Sequence, residues 1–294
     1  MKQRKSDSLW KVVMEDVFPD LLRFIFPDAD EVYNMERGFE FLDKELAELH
    51  PHPDEEKDSR FADKLVKVYH RDATEEWVLL HIEVQGDSDG REAFAERMFT
   101  YFYRIRDRYH KPVSAIAIFT GRDGKKMPKL YSYEYRHTRL IYEYSAISIL
   151  DYSDEELAAS NNPFAQIIAA AKLRLMEGKV LETELMSTKL LLAKKLQSKG
   201  FEAKKIRAVF NFLRNYVLFD SAEMNCKFDS LSKQTNKTPI MNTDEWLKME
   251  GREEATESIV ENLLKGTDFT IEKIASLTNA TVEFVNEISD NLKR

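Results

Sequence analysis

The sequence predicts an α/β domain, in which a sheet is flanked by helices, followed by an all-helical C-terminal region. Short apolar runs that are typical of strands alternate with amphipathic helical segments up to about residue 150. From Asp154 onward, the apolar residues recur at helical spacing. The chain has 294 residues, of which 43% are hydrophobic and 11% aromatic. It is therefore large enough to bury a full core.

Residues 1–152 are expected to form the α/β domain, with elements in the order ααββαβββ. Asp7 to Phe26 carries apolar residues at helical spacing, and Pro27 ends this helix. A second short helix is expected in FEFLDKELAEL. The later elements are two strands, FADKLVKVYH and EEWVLLHIEVQ, the helix REAFAERMFTYFYRIRDRYH, the buried strand KPVSAIAIFTG, and two or three strands in LYSYEYRHTRLIYEYSAISIL.

The rest of the chain is expected to be helical. Residues 153–220 contain three helical segments, which we expect to pack on the α/β domain. Residues 221–245 have few apolar side chains, which indicates a linker or a weak helix. Residues 246–294 are expected to form a helical tail that ends in a pair similar to a helix-turn-helix. Because the second helix of this pair carries Glu283 and Glu287, we expect oligomerisation or plain packing rather than reading of DNA bases.

The charge of the chain is unevenly distributed. The formal net charge of -8 argues against a protein that coats nucleic acid nonspecifically. However, residues 172–214 hold eleven basic and four acidic residues, a surplus of +7, whereas residues 40–58 hold eight acidic residues and two lysines. The basic stretch either presents a positive surface to phosphates or only solvates its helices.

Cysteine content and hydropathy set the expected compartment. The single cysteine, Cys226, excludes an internal disulfide and a cysteine-based zinc site, and it fits a reducing environment. No signal-peptide pattern is present at the N-terminus, and no segment approaches the ~20 apolar residues of a membrane span. We therefore expect a cytoplasmic protein with no membrane contact.

The strand EEWVLLHIEVQ carries polar residues near its end. Residues two apart in a strand lie on the same side, so His81, Glu83 and Gln85 share one face. If the preceding strand is an antiparallel neighbour, Asp63 comes level with Glu83 or Gln85. Two such carboxylates are able to chelate Mg²⁺, which prefers oxygen ligands and activates water for attack on a phosphate. The alternative is that both carboxylates are ordinary charged residues at strand ends.

Six segments between about Ser8 and Leu218 together resemble a known family. They are FLDKEL, FADKLVKV, WVLLHIEVQ, FAERMFTYFYRIRDRY, KPVSAIAIFTG and NPFAQIIAAA. This combination is similar to the Rpn family of recombination-promoting nucleases, also described as transposase-like, within the PD-(D/E)xK nuclease superfamily. The resemblance implies a nuclease-like mixed sheet flanked by helices, and it implies activity on DNA.

The resemblance also implies a role for each motif residue. Asp63 is the motif aspartate, Glu83 is the second acidic ligand, and Gln85 stands where the wider superfamily has a lysine. The family itself writes this triplet as Glu-x-Gln. Because a neutral amide supplies no positive charge, a nearby cation is expected to substitute for the lysine, with Lys67 and Arg97 as the candidates.

Further metal ligands are expected from two places. One is the main-chain carbonyl of Val84. The other is FLDKEL, because superfamily members place an acidic residue of an early helix beside the metal. Either Asp43 or Glu45 fits that role, and solvation of the helix surface is the alternative reading for both.

The helix after the motif is expected to contact DNA. Arg97, Tyr101, Arg104 and Arg108 follow one another at spacings of four, three and four, which places them on one face. An adjacent apolar stripe should pack on the sheet.

Two functions follow from these residues. The first is a DNA endonuclease that depends on Mg²⁺, with Mn²⁺ as a substitute, has little sequence preference, and serves recombination or a mobile element. The second is a nuclease-like fold that has become a DNA-binding or protein-interaction module. The carboxylates Asp63 and Glu83 favour the enzyme, and Gln85 favours the module.

Overall fold

The computed structural model describes residues 2–42, 46, 61–83, 91–235, 243–267, 269–278 and 280–293. At several segment ends, including residues 61–63 and 81–83, the description covers the backbone alone. Among the described helices, none is both long enough and apolar enough to span a bilayer.

Five of the described strands form one mixed sheet, and two form a separate hairpin. The strands are β1 (Glu40–Phe41), β2 (Phe61–Tyr69), β3 (Glu75–Glu83), β4 (Val113–Phe119), β5 (Leu130–Tyr135), β6 (Thr138–Glu143) and β7 (Ser145–Ser148). The order in the sheet is β1-β2-β3-β4-β7. β2 is antiparallel to β1 and β3, whereas β4 is parallel to β3 and β7.

Helices lie on both faces of this sheet and make up the C-terminal half. They are α1 (Lys2–Ile25), α2 (Ala29–Val32), α3 (Arg91–Tyr109), α4 (Asp154–Ala159), α5 (Pro163–Arg174), α6 (Glu182–Ser198), α7 (Ala203–Tyr216), α8 (Ala222–Thr235), α9 (Thr243–Gly266), α10 (Ile271–Thr278) and α11 (Val282–Lys293). α3 connects the parallel strands β3 and β4, because a parallel pair requires a crossover. The predicted α/β class, with a sheet flanked by helices, is confirmed.

One face of the sheet packs against α1, and we name the cluster there the α1-side core. α1 is amphipathic and buries one stripe of apolar residues, while α5 and α7 extend the same layer. The strands contribute every second residue: Val66, Val68, Val78, Leu80, Ile116 and Ile118. Lys64 also belongs to this face, where it is 3% exposed and forms an ion pair with Glu15 of α1.

The opposite face packs against α3, and we name the cluster there the α3-side core. It takes the alternate residues of the same strands, among them Leu65, Leu79, Ala117 and Phe119. From α3 it takes Phe94, Met98, Tyr101 and Ile105. The period of two in β2–β4 therefore divides the apolar residues between two cores.

The hairpin β5–β6 lies outside both cores for most of its length. It is anchored by Tyr131, whose ring stacks on Phe99 of α3 with centroids 5.2 Å apart. Toward its tip, Tyr133 and Tyr135 are exposed. The strands predicted in this segment are present.

The predicted second helix differs at its start. Glu40 and Phe41 form a short edge strand paired with Lys67 and Val66 of β2, because pairing with a neighbouring strand overrides local helical preference. Leu46 is helical and buried in the α3-side core. Residues 43–45 and 47–50 lie outside the described part of the chain.

The stretch predicted as a linker or a weak helix is helical over Ala222–Thr235. Its Phe228 is 1% exposed and stacks on Phe210 of α7 in the α1-side core. Arg214 also reaches α8, with hydrogen bonds of 2.8 and 2.6 Å to the carboxylate of Asp229. One large aromatic residue and one ion pair thus dock a helix that has little other apolar surface.

The tail forms the predicted helices, ending in the pair α10–α11. With α9 they enclose a small core of their own, which includes Val260, Ile274, Val285 and Ile288. α9 also contacts α1 and α7.

Lys189 of α6 is a buried cation in the helical layer. Its ammonium donates to the carbonyls of Val217 at 2.5 Å and Arg214 at 3.2 Å, which end α7, and it lies 4.0 Å from the Phe228 ring centroid. Burial disfavours the charged form and lowers the pKa of Lys189 to about 7.

Candidate active site

The register of β2 and β3 brings the two predicted carboxylate positions together. Asp63 pairs with His81, and Glu83 pairs with Phe61. Directly paired residues share a face, so Asp63 and Glu83 are diagonal neighbours on the face of the α3-side core. We expected Asp63 to come level with Glu83 or Gln85, and it is instead level with His81. Diagonal neighbours in an antiparallel pair lie about 7–8 Å apart, which suits two carboxylates that hold one cation between them.

This site lies at the edge where the parallel strands end. Glu83 pairs with Phe119, and these are the last residues of β3 and β4. Ligands of open α/β sheets commonly bind outside the carboxyl ends of parallel strands. Val84 and Gln85 continue from this edge, but they lie outside the described residues.

Arg97 lies at the same end of the sheet as Glu83. The ring of Phe94 contacts the ring of Phe119 with centroids 5.1 Å apart, and Phe119 is the partner of Glu83 in the sheet. The guanidinium carbon of Arg97 is 5.8 Å from the Phe94 ring centroid. The first turns of α3 therefore place a cation at the end of the sheet that carries the predicted carboxylates.

Lys67 shares the face of Asp63, as the strand period predicts, but it lies four residues away, which corresponds to about 13 Å along a strand. Its ammonium is 2.8 Å from the carboxylate of Glu40, and the hydroxyl of Tyr69 donates to the same side chain. Burial disfavours the charged form, but the hydrogen bonds with Glu40 and Tyr69 outweigh it and raise the pKa of Lys67. The ammonium of Lys67 is therefore held beside β1, toward the end of β2 that lies away from Asp63.

The prediction that four residues of α3 face DNA is wrong for Tyr101. Tyr101 is 4% exposed and belongs to the α3-side core, so it does not face solvent with its basic neighbours. It follows Met98 by three residues and precedes Ile105 by four, which places it on the apolar stripe as well. Arg108 is exposed and Arg104 half-buried.

For the predicted acidic residue of FLDKEL, the structure describes only the flanking residues Leu42 and Leu46. The amide of Leu42 donates to the carbonyl of Leu65 at 2.7 Å, and Leu46 is buried in the α3-side core. Leu65 is two residues from Asp63 on the same face. Asp43 and Glu45 stand between these two leucines in the chain and lie outside the described residues.

Among the side chains that the structure describes, no group of three or more His, Cys, Asp or Glu residues is arranged to hold a metal ion. The side chains of Asp63 and Glu83 fall outside that description. The fit to a cation therefore rests on the backbone register, which places two oxygen-bearing residues on one face.

A buried polar cluster near the same edge of the sheet was missed by the sequence reasoning. Arg174 of α5 donates to the hydroxyl of Ser6 at 2.6 Å, and its guanidinium lies 4.2 Å from the Tyr216 ring centroid. Burial raises the pKa of Tyr216, and hydrogen bonds with groups that include Thr120, the residue after β4, oppose that rise. Asp7 of α1 is buried as well. In the sequence, polar residues at the start of an apolar helix indicate only a helix end.

Much of the positive surplus in residues 172–214 is neutralised within the fold. Lys204 lies 3.0 Å from Asp16, and Lys205 lies 2.9 Å from Asp20, both on α1. Burial raises the pKa of Asp16, and the neighbouring Lys204 opposes that rise. With Lys189 buried and Arg214 paired, this stretch offers phosphates far fewer charges than its composition indicates.

The chain matches no known protein-family model, no curated protein and no solved structure.

Proposed function

We propose that the protein is a Mg²⁺-dependent DNA endonuclease that hydrolyses phosphodiester bonds with little sequence preference, similar to the Rpn nucleases. The observation that supports this proposal is the register of β2 and β3. It sets Asp63 one diagonal step from Glu83, on one face, at the carboxyl edge of the parallel strands. Because the chain resembles the Rpn family, the proposal includes a role in recombination or in a mobile element.

In this proposal each residue has a separate task. Asp63, Glu83 and the carbonyl of Val84 would hold the cation, with Asp43 or Glu45 as a further oxygen ligand. A cation held there would supply positive charge next to the attacked phosphate and would make a water molecule more acidic. Gln85 orients the attacking water through a hydrogen bond, because its amide has both donor and acceptor groups.

The missing lysine charge is assigned to Arg97 rather than to Lys67. Arg97 lies with Phe94 at the Glu83 end of the sheet, whereas Lys67 is paired with Glu40 at the other end. A guanidinium keeps its charge at every working pH and matches phosphate oxygens with paired donors. Arg104 and Arg108 then contact the DNA backbone further along α3.

The alternative is a DNA-binding or protein-interaction module that no longer cuts. Two observations favour it: Gln85 replaces the lysine of the wider superfamily, and Lys67 is committed to Glu40. Both reduce the positive charge available to the transition state.

Nicking of supercoiled plasmid by the purified protein separates the two functions. We expect nicking with Mg²⁺, none with EDTA, and none with Asp63→Ala or Glu83→Ala. Glu75→Ala is the matched control, because Glu75 is an acidic residue of β3 at the opposite end, paired with Lys111 at 2.6 Å. Nicking that survives in Asp63→Ala contradicts the site. DNA binding without nicking in the wild-type protein establishes the module instead.

A further inference from the structure

A cavity of about 530 Å³ opens between α4, α5 and α6, away from the proposed nuclease residues. Pockets of this size accommodate small organic ligands. Arg122, three residues after β4, and Leu150, two residues after β7, both line it. The cavity therefore lies at the carboxyl edge of the parallel strands, on the α1 side of the sheet.

The walls of this cavity are aliphatic. Among the described residues that line it, none is aromatic. The apolar wall includes Leu173, Met176, Val180, Leu191 and Leu192. Leu191 is 52% exposed, although it is a large apolar residue. Flexible aliphatic walls suit a hydrocarbon chain better than a planar ring, which usually stacks on aromatic side chains.

The rim of the cavity is positive. It carries four basic residues, Arg122, Lys172, Lys179 and Lys195, against one acidic residue, Asp154. Lys172 is already paired with Asp154, and Arg122 donates to the carbonyl of Leu175. Lys179 and Lys195 form no ion pair with any described residue. Their charges are available to an anionic group at the mouth.

One buried polar atom in the wall has no hydrogen-bond partner among the described residues. Gln166 is 1% exposed, and its Nε2 donates to the carbonyl of Leu157 at 2.9 Å. Its Oε1 makes no hydrogen bond within the described part of the chain. A buried acceptor without a partner is costly, so a ligand that brings a donor N–H or O–H to this wall gains an interaction.

We propose that this cavity binds a single-chain aliphatic acid whose head carries a hydrogen-bond donor, such as an N-acyl amino acid. The chain packs between α5 and α6, the donor reaches Oε1 of Gln166, and the carboxylate lies at Lys195. Lys195 is at the same end of the cavity as Gln166, because Lys199, directly after α6, donates to the carbonyls of Ala158 and Ser160, and Gln166 donates to the carbonyl of Leu157. Lys179 lies just before the start of α6, at the other end of the cavity. This site is independent of the nuclease proposal, because Asp63, Glu83 and Arg97 do not line the cavity.

Isothermal titration calorimetry of the full chain at pH 8 with N-decanoylglycine tests the proposal. We expect one molecule to bind per chain, and we expect binding to weaken as salt is added, because the rim cations are exposed. N-acetylglycine, which lacks the chain, and decyltrimethylammonium, which reverses the charge, should each bind at least tenfold more weakly.

Variants locate the site. Lys195→Gln should weaken binding at least fivefold, whereas Lys194→Gln, an exposed neighbour on α6 that does not line the cavity, should leave it within twofold. Ala169→Leu fills the wall and should weaken binding at least tenfold, with thermal melting used to show that each variant is folded. Absence of binding overturns the proposal. Equal binding of the cationic surfactant, or no response to Lys195→Gln, also overturns it and indicates nonspecific adsorption.

Discussion

The two faces of β2 and β3 are built from alternate residues of the same strands, yet they differ in what their polar residues do. On the α1 side, Lys64 is buried and paired with Glu15, and its neighbours are valines and leucines. On the α3 side, Asp63, His81 and Glu83 occupy successive positions at the end of the strands. A buried charge that is paired contributes to the fold. Several polar residues gathered at the edge of a sheet are instead typical of a functional site.

This difference predicts that stability and the proposed nuclease activity respond to different substitutions. Changes on the α3 side at the sheet edge should alter the reaction and leave unfolding unchanged. Changes on the α1 side should alter unfolding and leave the activity of the folded fraction unchanged. The comparison fails wherever one substitution changes both.

The largest effect is expected for Asp63→Asn, which keeps the shape of the side chain and removes its charge. The rate of plasmid nicking should fall by about a thousandfold, roughly 4 kcal/mol of transition-state stabilisation. The denaturation midpoint should stay at the wild-type value. A variant that is both inactive and unstable would show that Asp63 also supports the fold.

Phe228→Ala should have the largest effect on stability, because this side chain fills a site between α7 and α6 in the α1-side core. Removal of a buried phenylalanine costs about 3 kcal/mol or more. Urea titration followed by circular dichroism measures this loss, and Phe269→Ala, an exposed phenylalanine, is the control. Truncation after residue 220, the predicted end of the second helical region, should cause a similar loss, because it removes Phe228 and exposes Phe210.

Lys64→Met should cost about 2 kcal/mol of folding stability, since it leaves the charge of Glu15 without its buried partner. Adding Glu15→Gln should recover part of that loss, because the pair is then removed as a unit. Nicking per folded molecule should match the wild type. If the double variant is as unstable as the sum of the single variants, the two residues do not interact.

Lys189 gives the stability of the α1-side core a dependence on pH. Its pKa is about 7 in the folded protein, below the ordinary value of 10.5, so the unfolded chain binds the extra proton between these values. Stability should therefore rise with pH from about 7 toward 10, by up to about 1.4 kcal/mol per pH unit. Lys189→Met should remove this slope and Lys194→Met should retain it. Equal slopes in both variants would assign the effect to other groups.

The smallest effect is expected for Lys67→Ala. Its ammonium is held by Glu40, so nicking should fall by less than about threefold, whereas Arg97→Ala should slow it by about a hundredfold. Rates of both variants at one Mg²⁺ and one salt concentration test the assignment of the cation. A larger loss with Lys67→Ala than with Arg97→Ala would reverse that assignment.

The sequence predicted the elements whose residues repeat with a clear period. β2, β3, β4 and α3 each follow a period of two or of 3.6, and strand parity placed Asp63 and Lys67 on one face. β1 could not be predicted, because two residues form a strand only through their pairing with β2. The partner of Lys67 was missed for the same reason, since Glu40 belongs to β1.

Tyr101 and Phe228 show two other limits of a one-dimensional pattern. Tyr101 fits both the basic and the apolar stripe of α3, and only the position of the sheet decides between them. Phe228 stands in a polar segment, where one aromatic residue gives no periodic signal. The register of β2 with β3 could not be predicted from the sequence either. A shift of one strand by two residues keeps every side chain on the same face and changes only which residues are paired.

The hairpin β5–β6 has a consequence for isotope labelling. Within the described chain, neither of its outer edges pairs with a further strand. In a two-stranded antiparallel ribbon, every second amide points outward to water rather than across to the partner. Hydrogen–deuterium exchange should therefore alternate between slow and fast residues along Leu130–Tyr135. The slow residues should lose their protection from Tyr135 toward Tyr131, where the stacked ring of Phe99 fastens the ribbon to the body of the protein.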